Sequence, residues 1–461
     1  MHSSVSGSCG VGFICNIHGV ASHEIVAQGV EAVKNLTHRG AVGADGKTGD
    51  GAGILIQLPK QFFLKELKKV GHLPADENAL AAGVFFLYRE GMEGAIESRI
   101  KQQGLIPLGW RDVPTNDDAA GKTALAAKPR IRQLFLDAGR IALESREVRL
   151  YLARRALEKE FGEDIYLPSL SSRVTVYKGM LVATHLAEFY PDLNDGDLAS
   201  AFCLFHQRFS TNTSPDWRLA QPFRVLAHNG EINTLQGNRN WMSTLEQMMR
   251  HEIFGDGMDH LVPLLSPDES DSASLDKVVE LLVLSGFSPE HAVIMCIPPA
   301  WENGPHDAKE RGFFEYHSLL MKPWDGPAAV AFTDGNTVGA HMDRNGLRPL
   351  RYAITEEGLL VLGSEMGMVD LGKSRIREKG RLGPGETIAV DLATGTVRFT
   401  DEIVRTLAAE NPYADWIEKF LLRLQDRTMS SPETSGDITR KQIAFGYTAE
   451  EIRLSLRPMA E

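Results

Sequence analysis

Apolar positions along this chain alternate between short strand-like runs and helical stripes. Residues 9 to 17 (CGVGFICNI) form a near-continuous apolar run, the pattern of a strand buried on both faces. Apolar residues at 26, 30, 33 and 36 place one face of a helix over 25 to 36. A long glycine-rich loop, HRGAVGADGKTGDGAG, precedes a strand at 54 to 58; a helix is predicted at 60 to 70 and a strand at 82 to 88. Between 91 and 165 the chain is more charged and helical, with strands predicted near 132 to 136 and 148 to 152. Residues 174 to 186 predict a hairpin strand and its sequel. Polar clusters between short apolar runs predict loops positioned by a scaffold over 201 to 240. From Ala273 onward SLDKVVELLVLSG gives an amphipathic helix, with Ser270 or Asp271 as its cap. A hairpin is expected across Asp334-Gly335, joining 327–332 to 337–341, with further strands at 350–354, 359–362 and 386–391. After about 404 the strands stop, and a helical tail interrupted by Pro and Ser runs to Glu461 as a linker or the start of another domain.

Composition narrows the class. The chain has 461 residues, 43% hydrophobic and 24% charged, enough to bury a large core without covalent staples. Its 61 acidic against 49 basic residues give a net charge of −12, which argues against a nucleic acid as partner. No run approaches the ~20 apolar residues of a membrane span, and the first eight residues lack the pattern of a secretory signal. Four scattered cysteines (Cys9, Cys15, Cys203, Cys296) do not make a disulfide framework, so the cytoplasm is the expected compartment.

Several apparent motifs fail on spacing. HRGAVGADGKT invites a phosphate-loop reading, but the first required glycine falls on Ala41. His23-Glu24 and His251-Glu252 begin like a zinc helix, yet Ala27 and Gly255 occupy the second-ligand position. Cys9 and Cys15 lack further thiolates for an iron–sulfur cluster, so no metal site is expected.

What remains is Cys9, followed by GVGF, read together with three distant polar clusters: FHQRFSTNT (205–213), AHNGEIN (227–233) and ESDS (269–272). With HRGAVGADGKTGDGAG, LAHNGEINTLQGNRNWM, PWDGPAA and MDRNGLRPLRY, these segments resemble the class II glutamine amidotransferase domain, an N-terminal nucleophile domain, that opens the large subunit of glutamate synthases. The likeness runs from Cys9 to about residue 404. It implies an α+β fold, a four-layer αββα sandwich, and an enzyme that hydrolyses L-glutamine to L-glutamate and ammonia through a thioester on Cys9.

The residue chemistry agrees. A thiol with a reference pKa of ~8.5 needs a base, and an α-amine at ~7.7–8.0 suits that task near neutrality. Cys9 can supply both only as the first residue of the mature chain, so residues 1–8 are expected to be a propeptide cut at Ser8–Cys9. The resemblance assigns the Asn229 amide and the Gly230 N–H to an oxyanion hole, although Asn-Gly is also the commonest hairpin turn. Arg208 is assigned to the substrate carboxylate and Asp271 to its ammonium; alone, each reads as an ordinary ion-pair arginine and helix cap. Thr211 and Asn212 are expected to complete the pocket within a glutamine loop at 208 to about 217, and Arg39 to support the nucleophile. Asp50-Gly51-Ala52-Gly53 and Asp343-Arg344-Asn345-Gly346 are read as packing and framing of an ammonia exit. Beyond residue 461 the resemblance implies a synthase module with FMN and a [3Fe–4S] cluster, served by an electron-donating subunit, with 2-oxoglutarate as the ammonia acceptor. No cofactor is implied within the chain itself. Two other readings stand beside this one: a stand-alone amidotransferase feeding another acceptor, and a non-catalytic regulatory subunit.

Overall fold

The computed structural model describes residues 9–208, 214–422 and 437–460. Its strands are β1 (Gly10–Asn16), β2 (Thr48–Gln57), β3 (Leu80–Leu87), β4 (Ile106–Asp112), β5 (Arg130–Asp137), β6 (Ile165–Ser171), β7 (Val174–Leu181) and β8 (Phe202–Gln207). Then come β9 (Leu226–Gly230), β10 (Ala328–Thr333), β11 (Thr337–Met342), β12 (Arg351–Thr355), β13 (Leu359–Gly363), β14 (Ile376–Arg381), β15 (Thr387–Asp391) and β16 (Thr396–Phe399). They form a seven-stranded sheet (β14-β12-β13-β1-β8-β2-β7), a five-stranded sheet (β16-β15-β11-β10-β9) and a four-stranded sheet (β4-β5-β3-β6).

Strand alternation decides the layers, because successive side chains point to opposite faces. Ile14, Ile54, Ile56, Cys203 and Phe205 face a core shared with the helices His23–Asn35 and Lys60–Val70. Their neighbours Val11, Phe13, Leu55, Phe202 and Leu204 face the five-stranded sheet, meeting Ala329, Ala331, Val338 and Ile388. The far side of that sheet, through Ala328, Val330 and Phe332, packs on helices Asp271–Leu284 and Pro289–Cys296. Helix, sheet, sheet, helix is the expected αββα order. The four-stranded sheet is an addition that the sequence pattern did not single out. One of its faces joins the first helical core, and the other packs on helix Arg146–Phe161.

Three local expectations are corrected. Residues 148–152 are helix, not strand, because helix Arg146–Phe161 is enclosed and the alternating VRLYL merely imitates a strand period. Arg154 lies buried within it, ion-paired to Glu158 at 2.9 Å and to Glu280. The glycine-rich loop is shorter than predicted, since β2 begins at Thr48 and takes in TGDGAG. Over 201–240 the polar clusters include strands β8 and β9 and the helix Leu235–Glu246, so several motif residues sit at strand ends. Strands β4, β6, β14 and β16 were also not anticipated.

Described residues up to Ile417 belong to one compact unit. A second unit, Glu418–Glu461, contains the short helices Ile438–Ala444 and Ala449–Glu451, the latter opened by a Thr448–Glu451 capping box. Among the described residues no helix is long and apolar enough to cross a membrane.

Candidate active site

Cys9 immediately precedes β1, whose Gly10 pairs with Gln207 of β8 and whose Gly12 pairs with Gly363 of β13. Extending that register one residue brings Cys9 alongside Arg208. The thiol is partly exposed and not in a disulfide. On the other side of β8, Ala52 pairs with Gln207, and the Arg208 N–H donates to the Gly51 carbonyl at 2.8 Å. Arg208 is buried, and its Nη1 donates to the Asp50 carbonyl at 3.2 Å. Burial pushes its guanidinium below the ordinary range, while the charges of Asp50, Cys9 and Asp271 act in the opposite sense. Arg208 thus stands between the start of β1 and the Asp50–Gly51 part of β2. Asp50 is the group that the sequence reading did not place at the substrate site; its signal was the DGAG motif, read there as packing and framing of an ammonia exit.

The facing sheet supplies the next part. His206, opposite Val11 in the β1–β8 register, donates from Nε2 to the His228 carbonyl at 3.1 Å and so ties β8 to β9. Burial drives its pKa down to about 3, so the imidazole is neutral and serves as a fixed donor. Asn229 and Gly230 end β9, at the edge of the second sheet, opposite Ala329 and Ala328. The pair is therefore a strand end rather than a hairpin turn. Asn229 is buried, and its Nδ2 has no hydrogen-bond partner among the described residues. An orphaned amide donor is costly unless something else accepts from it. Gly230 has φ +154°, and a Cβ there would lie 1.7 Å from the Pro327 carbonyl oxygen. Only glycine fits this crossing of the HNG and PWDGPAA segments.

Behind Gly230, buried Asp343 holds the paired strand in place. Its Oδ1 accepts from the Ala328 N–H at 3.0 Å, its Oδ2 from the Asn345 N–H at 2.7 Å, and its own N–H donates to the Ala328 carbonyl at 2.9 Å. The DRNG motif is thereby linked to the residue opposite Gly230.

Asp271 opens helix Asp271–Leu284, where a negative charge is favourable. Of the two cap candidates Ser270 takes the role, its Oγ accepting from the Ala273 N–H at 3.2 Å. The Asp271 carboxylate is left to turn toward the strand end, accepting from the Ile232 N–H at 2.9 Å. A relay runs from His228 Nδ1 to Ser272 Oγ (2.8 Å) and on to Asp271 Oδ1 (3.1 Å). Ser270→Ala is expected to cost about 1 kcal/mol of stability, measured as a lower urea midpoint at unchanged slope.

Arg39 ends a turn after the helix His23–Asn35 and donates from Nε and Nη2 to Glu365 Oε2 at 3.2 and 3.0 Å. Glu365 follows Ser364, whose Oγ accepts from the Val11 N–H at 3.0 Å, so this ion pair flanks the start of β1. Thr211 and Asn212 lie outside the described residues. The structure therefore sets Cys9 beside Arg208 and holds Asp271 against the segment that follows the Asn229–Gly230 strand end. A thiol, an unused buried amide donor, a guanidinium and a carboxylate suit an amino acid that carries a carbonyl group to be attacked.

Comparison with known proteins bears on the same residues. The model for class II glutamine amidotransferases matches residues 9–416. The large chain of NADPH glutamate synthase from Bacillus subtilis is 42% identical over 463 residues, covering 98% of this chain and 30% of its own length. Its counterpart from Azospirillum brasilense is 44% identical over 472 residues, covering 98% and 31%. The ferredoxin-dependent glutamate synthase of Pyropia yezoensis is 40% identical over 468 residues, covering 98% and 30%. The chain thus spans about 30% of the length of the curated relatives it matches. With its sheet-on-sheet core and a cysteine leading the first central strand, this chain belongs to the class II glutamine amidotransferases.

Proposed function

We propose that Cys9 attacks the side-chain carboxamide carbon of L-glutamine. The C–N bond breaks, ammonia leaves, and water then hydrolyses the thioester to L-glutamate. The thiol proton passes to the α-amine of Cys9 and from there to the departing nitrogen. An amide nitrogen has no basic lone pair, so the scheme requires that the Ser8–Cys9 bond be cut. What supports this reading is the placing of Cys9, at the head of β1, beside buried Arg208 at the end of β8, with the unpartnered Asn229 amide on the facing sheet.

In this scheme the Asn229 amide and the Gly230 N–H receive the oxyanion, Arg208 binds the substrate carboxylate and Asp271 the ammonium. Thr211 and Asn212 complete the pocket, and Arg39 supports the start of β1. A site with fixed charges for both ends of the amino acid rejects plain amides, because a missing substrate charge leaves a buried partner unsatisfied. Arg208→Lys keeps the charge but loses the planar two-point grip. It is expected to raise KM for glutamine roughly 10- to 100-fold, on the scale of a charge-assisted hydrogen bond, with a smaller change in kcat, as read from steady-state ammonia release.

The greater length of the relatives supports a wider role, in which ammonia passes to 2-oxoglutarate in a synthase module. FMN and a [3Fe–4S] cluster would belong to that module, and an electron-donating subunit would serve it. Four cysteines outside any disulfide support a cytoplasmic setting. The test is N-terminal sequencing and intact mass of purified protein together with ammonia release from L-glutamine. A start at Cys9 in active protein is expected; active protein that retains residues 1–8 in peptide linkage overturns the scheme.

A further inference from the structure

Away from the candidate active site, a cavity of about 360 Å³ opens where the segment before β12 meets the end of β14. Its charged lining is Arg348, Arg351 and Arg381, with no aspartate or glutamate among the lining residues. Arg351 and Arg381 are directly opposite one another in the antiparallel β12–β14 register, so both side chains lie on one face. Neither they nor Arg348 forms an ion pair or side-chain hydrogen bond among the described residues, and Arg348 Nε is a buried donor without an acceptor. Lys379, two residues along β14, adds positive charge to the same face.

Three arginines around one cavity with no lining carboxylate are a local concentration of positive charge on an acidic chain. Acidic residues outnumber basic ones, 61 to 49. Arg348 is half-buried, and Arg351 and Arg381 are exposed; the buried arginines Arg111, Arg154, Arg155 and Arg224 have carboxylates, Arg111 meeting Glu66 and Asp192 and the others Glu158. Even Arg344, four residues before Arg348, pairs with Asp325. Like charges set directly opposite across a ladder are destabilising, and an unsatisfied buried donor adds to the cost. Charged side chains on an exposed edge strand protect it from stray pairing, which accounts for Lys379 and Arg381. It does not account for Arg351, which lies on the next strand in, or for Arg348 in the loop before it.

We propose that this cavity is a binding site for a compact anion with two or more negative charges on oxygen, a phosphate group or a dicarboxylate. Guanidinium groups match the paired oxygens of both. The concave shape, whose lining includes buried Leu350 and Leu382, suits a small ligand rather than a flat protein surface. The segment that carries Arg348 begins at Asp343, which is hydrogen-bonded to Ala328, the residue opposite Gly230. The proposal is independent of the chemistry assigned to Cys9.

The test is thermal unfolding of the purified protein titrated with sodium phosphate or sodium succinate at constant ionic strength, beside a double variant, Arg351→Gln with Arg381→Gln. For the unsubstituted protein a saturable rise in Tm is expected, on the order of 3 °C at a hundredfold excess over Kd. The double variant should lose that rise while starting from an equal or higher Tm, because a like-charge pair has been removed. A response to phosphate alone assigns a phosphate-bearing ligand, and one to succinate alone a dicarboxylate. No saturable shift with either probe, or the same shift in the double variant, overturns the site. So does binding confined to a polyglutamate probe, which would mark a docking surface instead.

Discussion

Cys9→Ala is expected to abolish ammonia release from L-glutamine, a loss of roughly 10⁴- to 10⁶-fold, the scale seen when a covalent nucleophile is deleted. No other thiol can replace it. Cys15, Cys203 and Cys296 are fully buried, and burial pushes each thiol far above its ordinary range, so none supplies a thiolate near neutral pH. The same contrast predicts that iodoacetamide labels the native protein at Cys9 alone, as peptide mapping would show, and that labelling and inactivation proceed together. Fold should survive the substitution, because Cys9 precedes β1 and contributes nothing to the sheet cores. A folded Cys9→Ala protein with ammonia release close to that of the parent would end the mechanism.

Asn229→Ala carries the second large effect, a fall in kcat of about 10²- to 10³-fold, as for the loss of one oxyanion-hole donor. Nδ2 is buried without an acceptor in the described residues, an arrangement that is costly in the resting protein and useful only when negative charge develops beside it. Because that charge exists in the transition state and not in bound glutamine, KM should move little. Arg208→Lys should show the opposite split. Thermal stability of Asn229→Ala should stay near that of the parent, since the lost Nδ2 had no bond to lose. A large rise in KM with unchanged kcat would assign Asn229 to substrate binding instead.

Much of the architecture is written in local sequence pattern. The run at 9–17 became β1, the stripe at 25–36 the helix His23–Asn35, and the Asp334-Gly335 turn the β10–β11 hairpin. Each is specified by neighbours along the chain, through period, capping or turn chemistry. Reading failed where burial comes from elsewhere in the molecule. The helix Arg146–Phe161 looked partly strand-like because VRLYL alternates, and its enclosure depends on partners distant in sequence, such as the Glu280 carboxylate that holds Arg154 inside. The exposed strand β14 carries too few apolar residues to announce itself.

The candidate site divides the same way. The sequence supplied the family, through its motifs, and that resemblance picked out a thiol, an Asn-Gly pair, an arginine and a carboxylate for opening an amide, residues that taken singly read as ordinary. It did not declare that Asp50 would stand beside Arg208, that Ser270 would cap its helix and leave Asp271 to face the strand end, or that three arginines would share an acid-free cavity. Those are consequences of strand order and register. Hydrogen-bonded ladders bring β13, β1, β8 and β2 side by side from distant stretches of sequence, and no local pattern records which ladder forms beside which.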